Sequence, residues 1–229
     1  IKKRSEHNIP DGLLGINIGP NKDTDNMYDD FLSCAKTFFP IGDYITINIS
    51  SPNTEGLRNF HEKENLEKLL IKINEIRKES NFKKSFLLKI SPDLDESSVN
   101  NIVDLSLKNN INGIILTNTS DKNRDKLIDN QKNEKGGLSG QPIKDLSTKI
   151  IKKFYKKLNG KIPIIGVGGV DSGNAAFEKI AAGASAIQLY TGMIYKGPMI
   201  VKEIKKGLII KLNEKGFKNI SEAVGSNSN

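Results

Sequence analysis

The sequence predicts an α/β protein built on a parallel sheet, and three observations carry that prediction. Six short apolar runs, each rich in β-branched, aromatic or leucine residues, are spread along the 229 residues. Segments with helical apolar periodicity separate them, and repeated strand–helix alternation argues for parallel strands. Nearly every run also finishes in polar or glycine residues on its C-terminal side. That rim is where barrels assemble their sites, so a (β/α)8 TIM-type barrel is favoured over a doubly wound sheet.

The runs are Leu13–Ile18, Tyr44–Ile49, Phe86–Ile90, Gly113–Leu116, Ile162–Val167 and Ser185–Tyr190. Their lengths suit strands buried on both faces. Between them, Leu66, Leu69, Leu70, Ile73 and Ile76 share one helical face, as do Ile143, Leu146, Ile150, Phe154 and Leu158. Asp171-Ser172 is a cap for the helix that follows, and Gly183 its stop. Closure of a barrel takes eight strands. The expectation is therefore one domain over residues 1–229 with about six of the eight strand–helix units, two being missing upstream. The charged, Asn-rich stretch 122–135 is read as a mobile insertion with no chemistry of its own.

Composition narrows the function. At 36% hydrophobic and 27% charged the chain is globular, and no apolar run is long enough to span a membrane. The opening "IKKRSEHNIPDG" is polar and does not read as a signal peptide. The single Cys34 excludes an intramolecular disulfide and fits a reducing compartment. A net charge of +8 allows an RNA or an anionic surface as partner, but the lysines are scattered among glutamates on helical faces. No stretch interleaves arginines with aromatics as a nucleic-acid site does, so no nucleic-acid partner is expected.

Chemistry is sought at the strand ends. "IPIIGVGGVDSG" places Gly166, Gly168 and Gly169 between a strand and a helix, without the third glycine of a dinucleotide fingerprint. On a barrel such a turn binds phosphate through backbone N–H groups, and "GGLSG" (136–140) and "YTG" (190–192) lie at matching ends. Each alone is an ordinary tight turn; together they point to a phosphorylated cofactor. Lys89 interrupts the apolar "FLLKISPD". Either it sits on a solvated sheet edge, or its amine faces an anion such as a reduced flavin. Asn17, Asn48, Asn53 and Asn118 stand at or beyond strand ends and supply donors and acceptors to a planar heterocycle, although each alone is a turn residue. His7 and His61 are read as solvated, and no His, Cys, Asp or Glu pair has ligand spacing, so no metal is expected.

These residues fall in blocks: "GINIGPNKDT", "YITINISSPNTEGLR", "LLKISPDL", "NGIILTNT", "GGLSGQPIKDLST", "IPIIGVGGVDSG" and "AGASAIQLYTG". In this order they resemble the class 2, quinone-linked dihydroorotate dehydrogenases, from about Gly12 to Gly225. The resemblance implies an FMN-carrying barrel that oxidises dihydroorotate to orotate in pyrimidine synthesis and passes electrons to quinone. It implies Ser51 as catalytic base, and Asn48, Asn53, Asn118 and Thr119 around the substrate. FMN would be held by Asn17, Asn48, Lys89, Thr117, Ser139, Gly140, Gly168, Gly169, Tyr190 and Thr191. Class 1 members carry cysteine at the Ser51 position. The family's first two strands, with their FMN loop, a substrate lysine and a substrate asparagine, have no counterpart here, nor do its membrane-associating N-terminal helices. The chain thus corresponds to the C-terminal portion of the barrel, with membrane contact made through the missing segment. Placement is expected at the mitochondrial inner membrane, with the bacterial cytoplasmic membrane as the alternative. Two rival readings stand beside this one: a dihydrouridine synthase-like RNA-modifying FMN barrel, and an inactive fragment that needs its N-terminal part.

Overall fold

The computed structural model describes residues 12–81, 83–122, 124–125 and 127–228. Strands β1 (Gly15–Ile18), β2 (Tyr44–Asn48), β3 (Ser85–Ile90), β4 (Gly113–Leu116), β5 (Ile164–Gly166) and β6 (Ala186–Ile187) form one sheet in sequence order. Every pair is parallel. Helices α1 (Met27–Phe38), α2 (Lys63–Glu79), α3 (Glu96–Lys108), α4 (Lys144–Leu158) and α5 (Gly173–Ala181) follow β1 to β5 in turn. After β6 come α6 (Thr191–Lys196), α7 (Ile200–Glu214) and α8 (Ile220–Ala223). Among the described residues β1 and β6 are the two edges of a six-stranded barrel-type arc, as the count of apolar runs predicted.

Local chemistry sets the helix starts. Asn26 accepts from the Tyr28 N–H, Asp95 from the Ser98 N–H and Ser172 from the Ala175 N–H, each satisfying a free donor of the first turn. Ser172 is thus the expected cap, and Gly183, at φ +121°, the expected stop. On α2, Leu66, Leu69, Leu70, Ile73 and Ile76 are all buried. On α4, Ile150, Phe154 and Leu158 are buried as expected; Ile143 belongs instead to a short 3-10 turn, Gln141–Ile143, that leads into the helix. The main core lies between sheet and helices, where Ile45, Ile47, Leu88, Ile90, Ile114 and Leu116 meet α1 to α4.

Four strands are shorter than the apolar runs, β2 by the single residue Ile49. Leu13 is 83% exposed and precedes β1. Pro163 has no N–H to give a ladder, and β5 begins after it. β6 keeps only two residues, although Gln188 still donates to the Gly166 carbonyl at 2.9 Å. Edge strands have a partner on one side alone, so their apolar residues are not all held in the ladder.

Candidate active site

Strand alternation sorts the rim residues. Ile45 and Ile47 face the helices, so Asn48 takes the opposite, inner face; Leu88 and Ile90 do the same for Lys89. The register sets Asn48 beside Lys89. β3 is an interior strand with β2 and β4 on either side, which removes the solvated-edge reading of Lys89. Its amine makes no hydrogen bond or ion pair with any described residue, and burial pushes its pKa down. At the end of β4 the buried Thr117 hydroxyl also has no partner among the described residues. Lys89 and Thr117 line one cavity of about 200 Å³.

Next to them the polar strand ends knot together. The Asn48 side-chain oxygen accepts from the Ser50 hydroxyl at 2.8 Å and from the Asn118 amide at 3.3 Å. Asn118 also donates to the Ser50 oxygen at 3.0 Å and accepts from the Thr119 N–H at 2.7 Å. Ser51 follows this knot. Its oxygen accepts from the Asn53 N–H at 3.2 Å, while its own proton goes to no described residue.

Arg58 fastens the loop from behind. Its guanidinium donates to the Ser50 carbonyl at 3.3 Å and to the Thr119 carbonyl at 2.9 Å. The same fork pairs with Asp93 at 3.1 Å and Asp121 at 2.9 Å. Asp93 in turn accepts from the Ser120 hydroxyl at 2.6 Å and the Asp121 N–H at 3.1 Å. Gly137 closes the arrangement: a Cβ there would lie 1.9 Å from Thr119 Oγ1 and 2.9 Å from Pro52 Cγ. Only glycine lets "GGLSG" approach both loops at once.

The other wall of the cavity is glycine backbone. Gly168 (φ +118°) and Gly169 (φ +68°) adopt conformations that side chains disfavour. Thr191 donates its hydroxyl to Ser139 at 3.0 Å, which brings "YTG" against "GGLSG" beside that turn. Asn118, Thr119, Ser139, Gly140, Tyr190 and Thr191 share the Lys89 cavity with them. A wider cavity of about 640 Å³ continues from there, lined by Arg124, Leu127, Gln131, Lys135 and Leu138. In that stretch Arg124 donates to the carbonyls of Lys132, Glu134 and Gly136.

Two expected residues are exposed and do not line the Lys89 cavity: Asn17 on edge strand β1, and Asn53 on the Ser51 loop. His7 is outside the described residues. His61 is corrected: it is buried, not solvated, because the 3-10 turn Leu57–His61 tucks it inward, where Nε2 accepts from the Ser91 N–H at 3.4 Å. Burial and the nearby Arg58 charge lower its pKa to about 4, against a backbone hydrogen bond at Arg58 that pulls the other way. Ser50, Arg58 and Asp93 went unnoticed in the sequence. The only signal for them was that "SSPNTEGLR" carries a cation, and "SPD" an anion, near strand ends on one rim.

A family model described as dihydroorotate dehydrogenase matches residues 1–212. The chain belongs to the dihydroorotate dehydrogenase family. A protein of Escherichia fergusonii named dihydroorotate dehydrogenase (quinone) is 48% identical over 203 residues, which cover 85% of this chain and 60% of that one. A protein of the same name from Bradyrhizobium diazoefficiens is 39% identical over 232 residues, covering 100% and 63%. The crystal structure of an Eimeria tenella enzyme of this family in complex with ferulenol superposes with a TM-score of 0.93 at 34% identity, covering 98% of this chain and 65% of that one. Both curated relatives carry the quinone-type name, in line with the class 2 resemblance. The chain spans about three fifths of their length.

Proposed function

We propose that this chain binds FMN against the inner rim and oxidises dihydroorotate to orotate in pyrimidine synthesis, with electrons passed on to a quinone. The observation that carries the reading is the Lys89 cavity. A half-buried amine and a buried hydroxyl, both without partners among the described residues, face the same space as two positive-φ glycines. Burying such groups unpaired is costly, and a planar, anionic, hydrogen-bonding ligand removes the cost. In this reading Lys89, Thr117, Asn17 and Asn48 hold the ring system of FMN. Gly168, Gly169, Ser139, Gly140, Tyr190 and Thr191 hold its phosphate end.

FMN, when bound, supplies the two-electron acceptor for the C6–H bond of the substrate. The chain's residues do the rest. Asn48, Asn53, Asn118 and Thr119 orient the substrate ring by its carbonyl and N–H groups. The Ser51 oxygen takes the C5 proton and releases its own hydroxyl proton outward. A serine is a poor base in water, so the Ser51–Arg58 loop must close over the substrate and exclude solvent. Mobility of the described residues 127–135 belongs to the same proposal, since Leu127, Gln131 and Lys135 wall the wider cavity; residues 123 and 126 of the 122–135 stretch lie outside the described residues.

We extend the reading to membrane contact, as a quinone acceptor requires. The curated relatives reported above are bacterial, which supports the cytoplasmic-membrane placement over the mitochondrial one. No helix among the described residues is long and apolar enough to cross a membrane.

The test is flavin retention, followed by visible absorbance on the purified chain. The expected result is one FMN per chain, weakened roughly ten- to a hundredfold in Lys89→Ala, the range for a lost hydrogen bond to a charged group. A folded chain that takes up no flavin, or a Lys89→Ala variant with parental affinity, overturns the assignment.

A further inference from the structure

Lys179, on α5, is a fully buried cation. Its ammonium donates to the Ser147 hydroxyl at 3.1 Å, the Thr148 hydroxyl at 3.1 Å and the Lys144 carbonyl at 3.3 Å. Those three acceptors use all its protons, and all three are neutral. Glu178, the adjacent acid, is taken by Lys144 at 3.1 Å instead. The Lys144 carbonyl already accepts from the Thr148 hydroxyl at 2.9 Å, so a neutral amide with two N–H donors would satisfy both hydroxyl oxygens without the expense of desolvating a charge. The hydrogen bonds explain why an ammonium is tolerated here. They do not explain why the position carries a charge.

Its location does. The Ser147 hydroxyl passes the contact on to the Val167 carbonyl at 2.6 Å, one residue before the Gly168–Gly169 turn. A Cβ on Gly168 would stand 3.0 Å from the Ser147 Cβ, and one on Gly169 would stand 2.6 Å from the Lys144 Cβ. The turn therefore lies directly on the first turn of α4, where the Lys179 ammonium is bound, and the same two glycines line the Lys89 cavity. A buried charge behind glycine backbone is screened much less by water and salt than an exposed one, so it acts on whatever anion that backbone meets.

We propose that Lys179 is the positioning cation of the phosphate cradle: it fixes Ser147 beneath the Gly168–Gly169 turn and places a positive charge behind the backbone that meets a phosphate monoester. The proposal rests on the FMN reading and adds a residue that does not touch the ligand. Burial pulls the Lys179 pKa from 10.5 to about 8, with Glu178 and Asp145 acting upward and Lys144 downward. β5, on the strand side, carries no titratable group, and α7, packed on α5, adds no perturbing charge. The cation is thus present below pH 8 and lost as pH rises through it. A phosphate monoester is already a dianion above about pH 6, so the ligand does not titrate in that window.

The experiment compares FMN with riboflavin, which lacks the phosphate, by fluorescence titration of the flavin-free chain below, at and above pH 8. Titration of Lys89 at the ring end acts on both ligands and cancels in their ratio. The expected result is an FMN affinity that falls roughly tenfold relative to riboflavin affinity across the window, the equivalent of one pKa unit of coupling. In Lys179→Met the FMN affinity at pH 7 drops by a similar factor, riboflavin is unchanged and the pH step disappears. Affinities for the two flavins that fall in parallel, with pH or in Lys179→Met, assign Lys179 to scaffolding and overturn the proposal. Should Lys179→Met not fold, the pH comparison on the parent chain decides alone. A folded parent that binds neither flavin at any pH overturns the FMN reading itself, a result distinct from the other two.

Discussion

Replacing Arg58 by methionine tests what holds the Ser51 loop. Methionine keeps the length and apolar bulk of the side chain and removes the charge and all its donors. Four contacts go: the carbonyls of Ser50 and Thr119, and the carboxylates of Asp93 and Asp121. Asp93 decides the magnitude, because its side chain is only 3% exposed. Breaking a buried ion pair from one side costs about 3–5 kcal/mol. Asp93 keeps the Ser120 hydroxyl at 2.6 Å and the Asp121 N–H at 3.1 Å, which places the cost at the lower end. The expected loss is about 3 kcal/mol, or a melting point lower by roughly 6–12 °C for a domain of this size. Asp121, half exposed, contributes little. Urea denaturation of the parent, Arg58→Met, Asp93→Asn and the double variant measures both the loss and the coupling. The double variant should be more stable than the sum of the single losses predicts, since it leaves no unpaired buried charge. An Arg58→Met protein that unfolds at the parental midpoint, or strictly additive losses, refutes the reasoning.

Acid supplies two further predictions. His61 is neutral in the fold, its pKa lowered from 6.5 to about 4, so its contribution is present above 6.5 and lost as pH falls to 4. In order of magnitude that is about 3 kcal/mol. His61→Gln, which can still accept from Ser91, should show a shallower fall in stability over that window; an unchanged slope contradicts the buried, neutral assignment. On the surface, hydrogen bonds from Lys153 and Lys157 lower the Glu96 pKa from 4.5 to about 2, so its contribution is present above 4.5 and lost as pH falls through that interval. Glu96→Gln should remove that part of the acid response, so that in melting point against pH the variant lies slightly below the parent above pH 4.5 and the two curves converge as pH falls to 2.

What the sequence made legible follows from how local each signal is. Strand order, the α2 face and the Ser172 cap depend on residues a few positions apart, and all were readable. Lys89 was readable too, because a lone charge in an apolar run stands out whatever surrounds it. Ser50 looked like one polar loop residue among several; its burial comes from Asn118, 68 residues away. Arg58 meets Thr119 across 61 residues of chain and Lys179 meets Ser147 across 32, and nothing near either residue announces the partner. His61 was misjudged for the same reason. Its neighbours Glu62, Lys63 and Glu64 are polar, while its burial is set by the turn and by Ser91. The ends of β1 and β6 escaped because pairing, not apolar character, limits edge strands.

The central claim is that Ser51 removes a proton from a substrate held at this rim. Anaerobic stopped-flow mixing of the FMN-loaded protein with dihydroorotate, parent against Ser51→Ala, tests it most directly. Ser51 touches none of the groups assigned to FMN, so both proteins should carry the same flavin content. The parent flavin should bleach, and the variant should bleach about 10²–10⁴-fold more slowly, the span of a general-base contribution. A Ser51→Ala protein that bleaches at the parental rate, with equal flavin content, contradicts the account.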